Sequence, residues 1–348
     1  MANQCLQLSR LLAGEGIGVE VVRTNEPYRP AVIEKLRFAR ALFRLLPYAW
    51  RVWRMTGRVD AVHVFANSGW AWHLCAAPAV LLSRLRGTPV IVNYRGGAAD
   101  AFLERAPSWV RRTIAAADAL VVPSGFLEGV FARHGLRAVT IPNVVDLARF
   151  KPAPARGAHA APHVIVTRNL EPLYDVPTAL RALAIVARRF PGARMTVAGT
   201  GPERASLGRL AQELGIESRV RFAGRVDNAQ IAGLYAEADV MVNPSTVDNM
   251  PISVLEAFAS GVPVVSTNVG GVPFMARHEH TALLVPPRDP DAMAGAITRV
   301  LAESEIAQRL AANGLEEARR YAWPAVRELW LAQYRSHART PRTVVEGS

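Results

Sequence analysis

Two acidic residues, Asp248 and Glu256, stand eight positions apart in the second half of the chain, upstream of the glycine pair Gly270-Gly271. This spacing places both carboxylates around the start of one short helix. Backbone N–H groups and the helix dipole can hold an anion at such a terminus, and a nearby carboxylate can accept hydrogen bonds from hydroxyl groups. These residue types therefore predict a site for a ligand that carries an anionic group and hydroxyls.

The elements that must position these residues read as strand, polar loop, short helix, strand and glycine turn. The loop covers residues 243–251 and ends in Pro251, which suits the first turn of a helix because its missing N–H would have no partner there. The helix is predicted from about residue 252 to 260, where Gly261 tolerates the left-handed conformation that ends many helices. A further apolar strand then leads to the glycine pair.

The composition is that of a globular protein of about two domains, with 348 residues of which half are hydrophobic. Cys5 and Cys75 are the only cysteines, too few for a disulfide framework or a structural zinc site, which indicates the cytoplasm. The sequence shows no apolar run of about 18 residues and no secretory signal pattern. We therefore expect a chain that neither spans a membrane nor is secreted.

Apolar strand patterns alternate with helical patterns along both halves, which predicts an α/β fold with two doubly wound, Rossmann-like domains. The expected limits are 1–150 for an N-terminal domain, 151–322 for a C-terminal domain, 323–336 for a last helix returning to the N-terminal domain, and 337–348 for a frayed tail. Such a domain normally opens with a strand and a glycine-rich turn. Here a helix over 2–13 comes first and a strand is predicted over 18–24, so we hypothesise that the first strand and glycine loop are missing.

A basic and aromatic segment covers residues 33–58, predicted as a long helix broken near Pro47. It holds seven Lys or Arg residues against one acid, and large aromatic residues lie between them. Residues 1–150 carry 19 Lys+Arg and 10 Asp+Glu, so nine of the twelve net positive charges lie there. The pattern fits either an ordinary amphipathic helix or an interfacial segment on an anionic bilayer. Nothing resembles a nucleic-acid reading motif, so no nucleic-acid partner is expected.

Several short motifs occur together in the order typical of one enzyme family. The second half resembles the donor-binding domain of the retaining glycosyltransferases of family 4, which have the GT-B architecture of two Rossmann-like domains facing across a cleft. The matching pieces are Thr167-Arg168-Asn169, Val197-Ala-Gly199-x-Gly201-Pro202, Tyr235-x-x-Ala238-Asp239, Asn243-Pro-Ser245, Leu255-Glu256-Ala257 and Val269-Gly270-Gly271, preceded by Asn143-x-Val145-Asp146. The resemblance covers about residues 60–336 and is strongest from residue 140 onward.

The resemblance implies a role for each site residue. Arg168 would clamp the diphosphate of a nucleotide-sugar donor, and Glu256 would accept hydrogen bonds from its ribose hydroxyls. Asp248 would lie near the hydroxyls of the donor sugar. The other donor-binding candidates shape the sugar pocket or bring backbone N–H groups to the phosphates: Asn249, Met250, Gly199, Gly201, Gly270 and Gly271. No cofactor and no metal are implied.

Three departures from the family pattern concern the charged groups. The first acid is Asp248 followed by Asn249, where glutamate and glycine are usual. The lysine expected about six residues after Arg168 is absent, and no lysine follows Lys151. Arg225 is a candidate for the second cation, although a guanidinium binds phosphate differently from an ammonium. Arg95 stands where a histidine is usual, and it could stabilise negative charge on the leaving group or acceptor.

The resemblance implies transfer of a sugar from a nucleotide-diphosphate donor to an acceptor hydroxyl, with retention and without metal, in polysaccharide or glycolipid synthesis. The acceptor would be a saccharide or a lipid-linked molecule. The protein would be cytoplasmic, with peripheral attachment to the inner face of the membrane left open. The alternative is a catalytically impaired nucleotide-sugar-binding protein or scaffold of the same fold.

Overall fold

The computed structural model describes residues 2–24, 40–153, 161–227 and 230–339. The chain divides into two compact units, Met1–Pro142 with Arg327–Ser348, and Asn143–Val326. Each unit is built on a parallel β-sheet that helices cover, so the predicted α/β class is confirmed. The predicted domain limits at residues 150 and 322 stay predictions. Residues 154–160, near the predicted start of the second domain, and most of the predicted tail lie outside the described residues.

The first unit contains a four-stranded parallel sheet in the order β1-β2-β3-β4. Its strands are β1 (Val62–Ala66), β2 (Val90–Tyr94), β3 (Ala119–Val122) and β4 (Val139–Thr140). The helices are α1 (Ala2–Gly14), α2 (Arg40–Thr56), α3 (Ala77–Leu85), α4 (Ala99–Arg105), α5 (Ser108–Ala115) and α6 (Gly125–Arg133), and a π-helical turn (Trp72–Ala76) leads into α3. β2 and β3 are buried along their whole length, as expected for a sheet covered on both faces.

Two predictions for the first 60 residues are wrong. Residues 18–24 form no strand; Val19 and Val21 are exposed, and of the strand's apolar residues only Val22 packs against the core. Helix α2 is not broken at Pro47 and runs through it, while residues 33–39 of the predicted segment lie outside the described residues. The burial of the α2 face with Tyr48 and Val52 favours the continuous helix despite the hydrogen bond that proline removes.

The second unit contains a six-stranded parallel sheet in the order β10-β9-β8-β5-β6-β7. Its strands are β5 (His163–Val166), β6 (Arg194–Ala198), β7 (Val220–Gly224), β8 (Val240–Asn243), β9 (Val264–Thr267) and β10 (Leu283–Val285). The helices are α7 (Val176–Arg189), α8 (Arg204–Glu213), α9 (Ile231–Ala236), α10 (Ile252–Ala259), α11 (Pro290–Ala302) and α12 (Ser304–Arg319). Because all strands are parallel, the loops that follow β5, β6, β8 and β9 emerge at one edge of this sheet.

The last helix, α13 (Trp323–His337), packs against the first unit through its later turns. The ring of Trp330 lies 5.0 Å from that of His63 on β1, and the Tyr334 hydroxyl is 2.6 Å from His63 Nδ1. Throughout the ranges that the structure describes, no helix combines the length and the apolar content needed to cross a bilayer.

Candidate active site

Arg168 follows β5 at the strand-end edge of the second unit and pairs with Asp248, on the loop after the neighbouring strand β8. Arg168 Nη2 donates a hydrogen bond to Asp248 Oδ2, and Nη1 lies 3.5 Å from Ser253 Oγ at the start of α10. The two side chains are 10% and 11% exposed, so the ion pair is largely withdrawn from water. Burial raises the pKa of the Asp248 carboxyl, and the guanidinium acts against this shift.

The loop that carries Arg168 rests on the glycine turn after β6. The Leu170 N–H donates to the Thr200 carbonyl at 3.0 Å. A Cβ at Gly199 would collide with the Arg168 carbonyl, and one at Gly201 would collide with the Leu170 carbonyl. In this structure the two glycines allow a close backbone approach that holds Arg168 at the sheet edge; their predicted contact with phosphates stays a prediction.

The glycine pair after β9 contacts the loop that carries Asp248. The Gly271 N–H donates to the Asp248 carbonyl at 2.9 Å. Gly270 has a φ of +53°, and a Cβ there would overlap the same carbonyl oxygen. The pair therefore braces the Asp248 loop, and its predicted binding of a diphosphate remains untested by this geometry.

Glu256, on α10, lies beside a buried tyrosine hydroxyl. Its Oε2 accepts a hydrogen bond from the Tyr235 hydroxyl at 2.9 Å, and that hydroxyl is also 2.8 Å from Thr167 Oγ1. Burial raises the pKa of Glu256 to about 7, opposed by the Tyr235 hydrogen bond and by Arg149 and Arg168. Glu256 is therefore held by a network that reaches Thr167, the residue before Arg168.

Asn249 and Met250 continue the Asp248 loop. The Asn249 N–H donates to Asp248 Oδ1 at 3.1 Å. The Met250 carbonyl accepts from Asn143 Nδ2 at 2.7 Å, and the Asn143 N–H points to the Met250 sulfur at 3.2 Å. Asn143, the first residue of the second unit, thus fixes the end of the loop.

Arg225 and Arg95 are the two remaining predicted site residues. Arg225 is exposed and follows β7, the edge strand two positions from β5. Arg95 belongs to the first unit, where its N–H donates to the Ala66 carbonyl at 3.0 Å and its guanidinium lies 5.5 Å from the centre of the Phe65 ring. Burial lowers the pKa of Arg95 to about 10. Among the residues described in the second unit, Arg225 is therefore not part of the Arg168–Asp248 ion pair.

Sequence reasoning assigned no role to four residues of this cluster: Thr167, Tyr174, Tyr235 and Ser253. Thr167 and Tyr235 were noted only as parts of motifs. The ring of Tyr174 lies 4.1 Å from the Arg168 guanidinium carbon, in the segment where a lysine was expected. The sequence feature that could have identified them is a polar or aromatic residue within seven positions of a predicted charged residue, or inside an apolar helix.

The cluster combines a cation, two carboxylates and the N-terminus of α10 at one sheet edge. Such an arrangement can bind a phosphate through the guanidinium and the helix terminus, and it can accept hydrogen bonds from hydroxyls through the carboxylates. Among the described residues, no group of three or more His, Cys, Asp or Glu side chains is placed to hold a metal ion.

Comparison with known families agrees with this geometry. A model described as glycosyl transferases group 1 matches residues 155–317, and a model described as glycosyltransferase family 4 matches residues 1–149. A GDP-mannose-dependent alpha-(1-6)-phosphatidylinositol monomannoside mannosyltransferase of Mycobacterium tuberculosis is 31% identical over 268 residues, which cover 70% of each chain. A D-inositol 3-phosphate glycosyltransferase of Saccharomonospora viridis is 35% identical over 212 residues, 56% of this chain and 49% of the relative.

Solved structures share the fold at lower identity. Sucrose-phosphate synthase from Thermosynechococcus elongatus has a TM-score of 0.74 at 22% identity, covering 95% of this chain and 91% of its own. Anabaena HepE in complex with UDP-glucose has a TM-score of 0.74 at 20% identity, with coverages of 94% and 88%. The family matches and the mycobacterial relative together show that this chain belongs to the family 4 glycosyltransferases and has their GT-B fold.

Proposed function

We propose that the protein transfers a sugar from a nucleotide-diphosphate sugar to an acceptor hydroxyl, with retention of anomeric configuration and without a metal ion. The observation that carries the proposal is the meeting of Arg168, Asp248 and Glu256 at one sheet edge of the second unit. In this proposal the second unit binds the donor, and the first unit contributes to binding of a saccharide or lipid-linked acceptor. The product would enter a polysaccharide or glycolipid.

The proposed chemistry uses these groups where charge develops. Breaking the bond between the anomeric carbon and the phosphate oxygen leaves negative charge on the departing nucleoside diphosphate, which Arg168 and the α10 terminus would stabilise. The acceptor oxygen forms its bond to the anomeric carbon on the face that the phosphate leaves, and its proton passes to the departing phosphate oxygen. Glu256 would accept hydrogen bonds from the ribose hydroxyls, and Asp248 from hydroxyls of the sugar.

A ligand panel tests the proposal. UDP-, GDP- and ADP-sugars, including GDP-mannose and UDP-glucose, are compared by their thermal stabilisation of the protein, since a ligand that binds only the folded state raises its stability. Release of nucleoside diphosphate is then measured with lipid-linked and saccharide acceptors. We expect Arg168→Ala to weaken donor binding strongly, whereas Arg181→Ala, at an exposed arginine on α7, should leave it unchanged. Donor binding without turnover across the acceptor panel would favour the alternative, a nucleotide-sugar-binding scaffold.

We also propose that the protein works at the cytoplasmic face of an anionic membrane, which it contacts through α2. The outward face of this helix exposes 51% of Phe43, 61% of Leu46 and 61% of Trp50, opposite the buried Tyr48 and Val52. Helix α2 contains four arginines and no acidic residue. Exposed aromatic and apolar side chains beside arginines are suited to the headgroup region of an anionic bilayer.

Vesicle flotation tests this second proposal. The protein should float with phosphatidylglycerol-containing vesicles, and the double substitution Arg51→Glu with Arg54→Glu should abolish flotation. Arg111→Glu with Arg112→Glu on α5 makes the same change in net charge at two other exposed arginines and serves as the control. Equal loss in both variants would indicate a general charge effect, and no flotation of the parent protein would refute the proposal.

A further inference from the structure

We propose that Tyr174 is a positioning residue for Arg168, holding its guanidinium ready for the diphosphate of the donor without itself occupying any of the N–H groups that bind this ligand. The inference rests on the proposed donor-binding function of the second unit. It concerns a residue for which the sequence predicted no role.

The guanidinium of Arg168 contacts both an aromatic ring and polar groups. Its Cζ lies over the Tyr174 ring, 4.1 Å from the ring centre. Nη2 donates to Asp248 and Nη1 approaches Ser253 Oγ. The remaining Nε is buried and has no hydrogen-bond partner among the described residues. The ring is therefore the contact that makes no use of the N–H groups with which an arginine binds phosphate.

The turn that carries the ring has supports of its own. Tyr174 ends a short 3₁₀ turn, Pro172–Tyr174, whose Leu173 carbonyl accepts from the Thr246 N–H at 2.8 Å and from Thr246 Oγ1 at 3.0 Å. Thr246 belongs to the same loop as Asp248. The turn that carries the Tyr174 ring and the loop that carries Asp248 are thus joined by two hydrogen bonds. These bonds hold the two partners of Arg168, Tyr174 and Asp248, at a fixed distance from each other.

This arrangement has a consequence for ligand binding. Asp248 neutralises Arg168 and occupies one of its N–H groups, so a diphosphate competes with that carboxylate for the guanidinium. The aromatic ring attracts the cation without competing for hydrogen bonds, so the contact persists when phosphate oxygens replace the carboxylate. Holding the side chain in place also avoids part of the entropy that a free arginine loses on binding.

Binding measurements on Tyr174 variants test the inference. Tyr174→Leu and Tyr174→Met remove the ring, and Tyr174→Phe keeps it. Calorimetry with UDP, GDP and ADP identifies the diphosphate that the parent protein binds, and the corresponding nucleoside serves as the uncharged probe. We expect both ring-free variants to weaken binding of the diphosphate about tenfold, equivalent to about 1.4 kcal/mol, and binding of the nucleoside less than about twofold. Tyr174→Phe should stay within about threefold of the parent protein.

Two further variants separate positioning from other roles. Phe222 on the edge strand β7 makes a similar contact, with the Arg204 guanidinium carbon 4.0 Å from the centre of its ring. Phe222→Leu removes that contact and should leave nucleotide binding unchanged. In an Arg168→Ala background, removing the Tyr174 ring should weaken diphosphate binding further by less than about twofold. Equal losses for nucleoside and diphosphate, or a full loss that persists without Arg168, would overturn the inference. Parent-like diphosphate binding by both ring-free variants would overturn this inference and leave the proposed function standing. Failure of the parent protein to bind any nucleoside diphosphate would refute the proposed function as well.

Discussion

Replacing Glu256 by glutamine should stabilise the protein at about pH 8 while it weakens donor binding. Glutamine keeps the shape of the side chain and an oxygen that can accept from the Tyr235 hydroxyl, but it carries no charge. The parent carboxyl must ionise in a buried setting, which raises its pKa from 4.5 to about 7. The substitution removes that cost, together with the charge that would bind the ribose hydroxyls.

The size and direction of the effect follow from this pKa. Because the folded state holds the proton more tightly than the unfolded chain, the stability of the parent protein falls as pH rises from about 4.5 to about 7, and then levels off. The difference between a pKa of 4.5 and one of about 7 corresponds to at most about 3.4 kcal/mol. Glu256 is not completely buried, and solvent screening reduces our expectation to about 1–2 kcal/mol.

Urea unfolding at about pH 5 and pH 8, followed by circular dichroism, measures the effect. The gain in unfolding free energy of Glu256→Gln over the parent protein should be small at the lower pH and reach about 1–2 kcal/mol at the higher one. Glu213→Gln, at an exposed position on α8, should give no pH-dependent gain. Parent donor affinity should rise between about pH 6 and 8, whereas that of the variant should not. A Glu256→Gln gain that is equal at both pH values, or a loss at pH 8, would refute the reasoning.

Three substitutions around the ion pair give further expectations. Gly270→Ala should cost about 1–3 kcal/mol of unfolding free energy and weaken nucleotide binding, because its Cβ would meet the Asp248 carbonyl at a positive φ. Urea unfolding measures the first effect and calorimetry the second. Parent-like values would contradict the close contact between Gly270 and the Asp248 carbonyl. Asp248→Asn leaves the buried guanidinium of Arg168 without its counter-ion and should cost about 2–4 kcal/mol in urea unfolding, with part of the loss recovered by added diphosphate. Asn143→Ala removes a buried hydrogen bond to Met250 and should cost about 1–2 kcal/mol by the same measurement; an unchanged midpoint would show that the loop holds without it.

The sequence predicted most of the sheet because its strands are continuous apolar runs bounded by glycine or polar turns. The apolar runs over 119–122 and 163–166 form β3 and β5 in this way. The short segment over 18–24 has the same composition as a strand, but strand formation requires a paired neighbour. Whether residues 18–24 find such a neighbour depends on the whole sheet, and local pattern does not contain that information.

For the candidate site, the order of the motifs predicted which strand ends carry the functional residues. In a parallel sheet those ends share one edge, so Arg168, Asp248 and the glycine turns could be expected to lie near each other. Their pairing could not be predicted in the same way. Arg168 and Asp248 are 80 residues apart, and their contact depends on the glycines that let neighbouring loops approach.

The sequence by itself determined the α/β class, the family, and the residue types at the strand ends, because hydrophobic periodicity and short motifs are local properties of the chain. Only the tertiary structure decided that Asp248 pairs with Arg168, that the guanidinium lies over the Tyr174 ring, and that Arg225 is exposed after the edge strand β7. The physical reason is that strand order and loop packing determine which charges become neighbours. Burial then determines how strongly they interact, as the raised pKa of Glu256 illustrates.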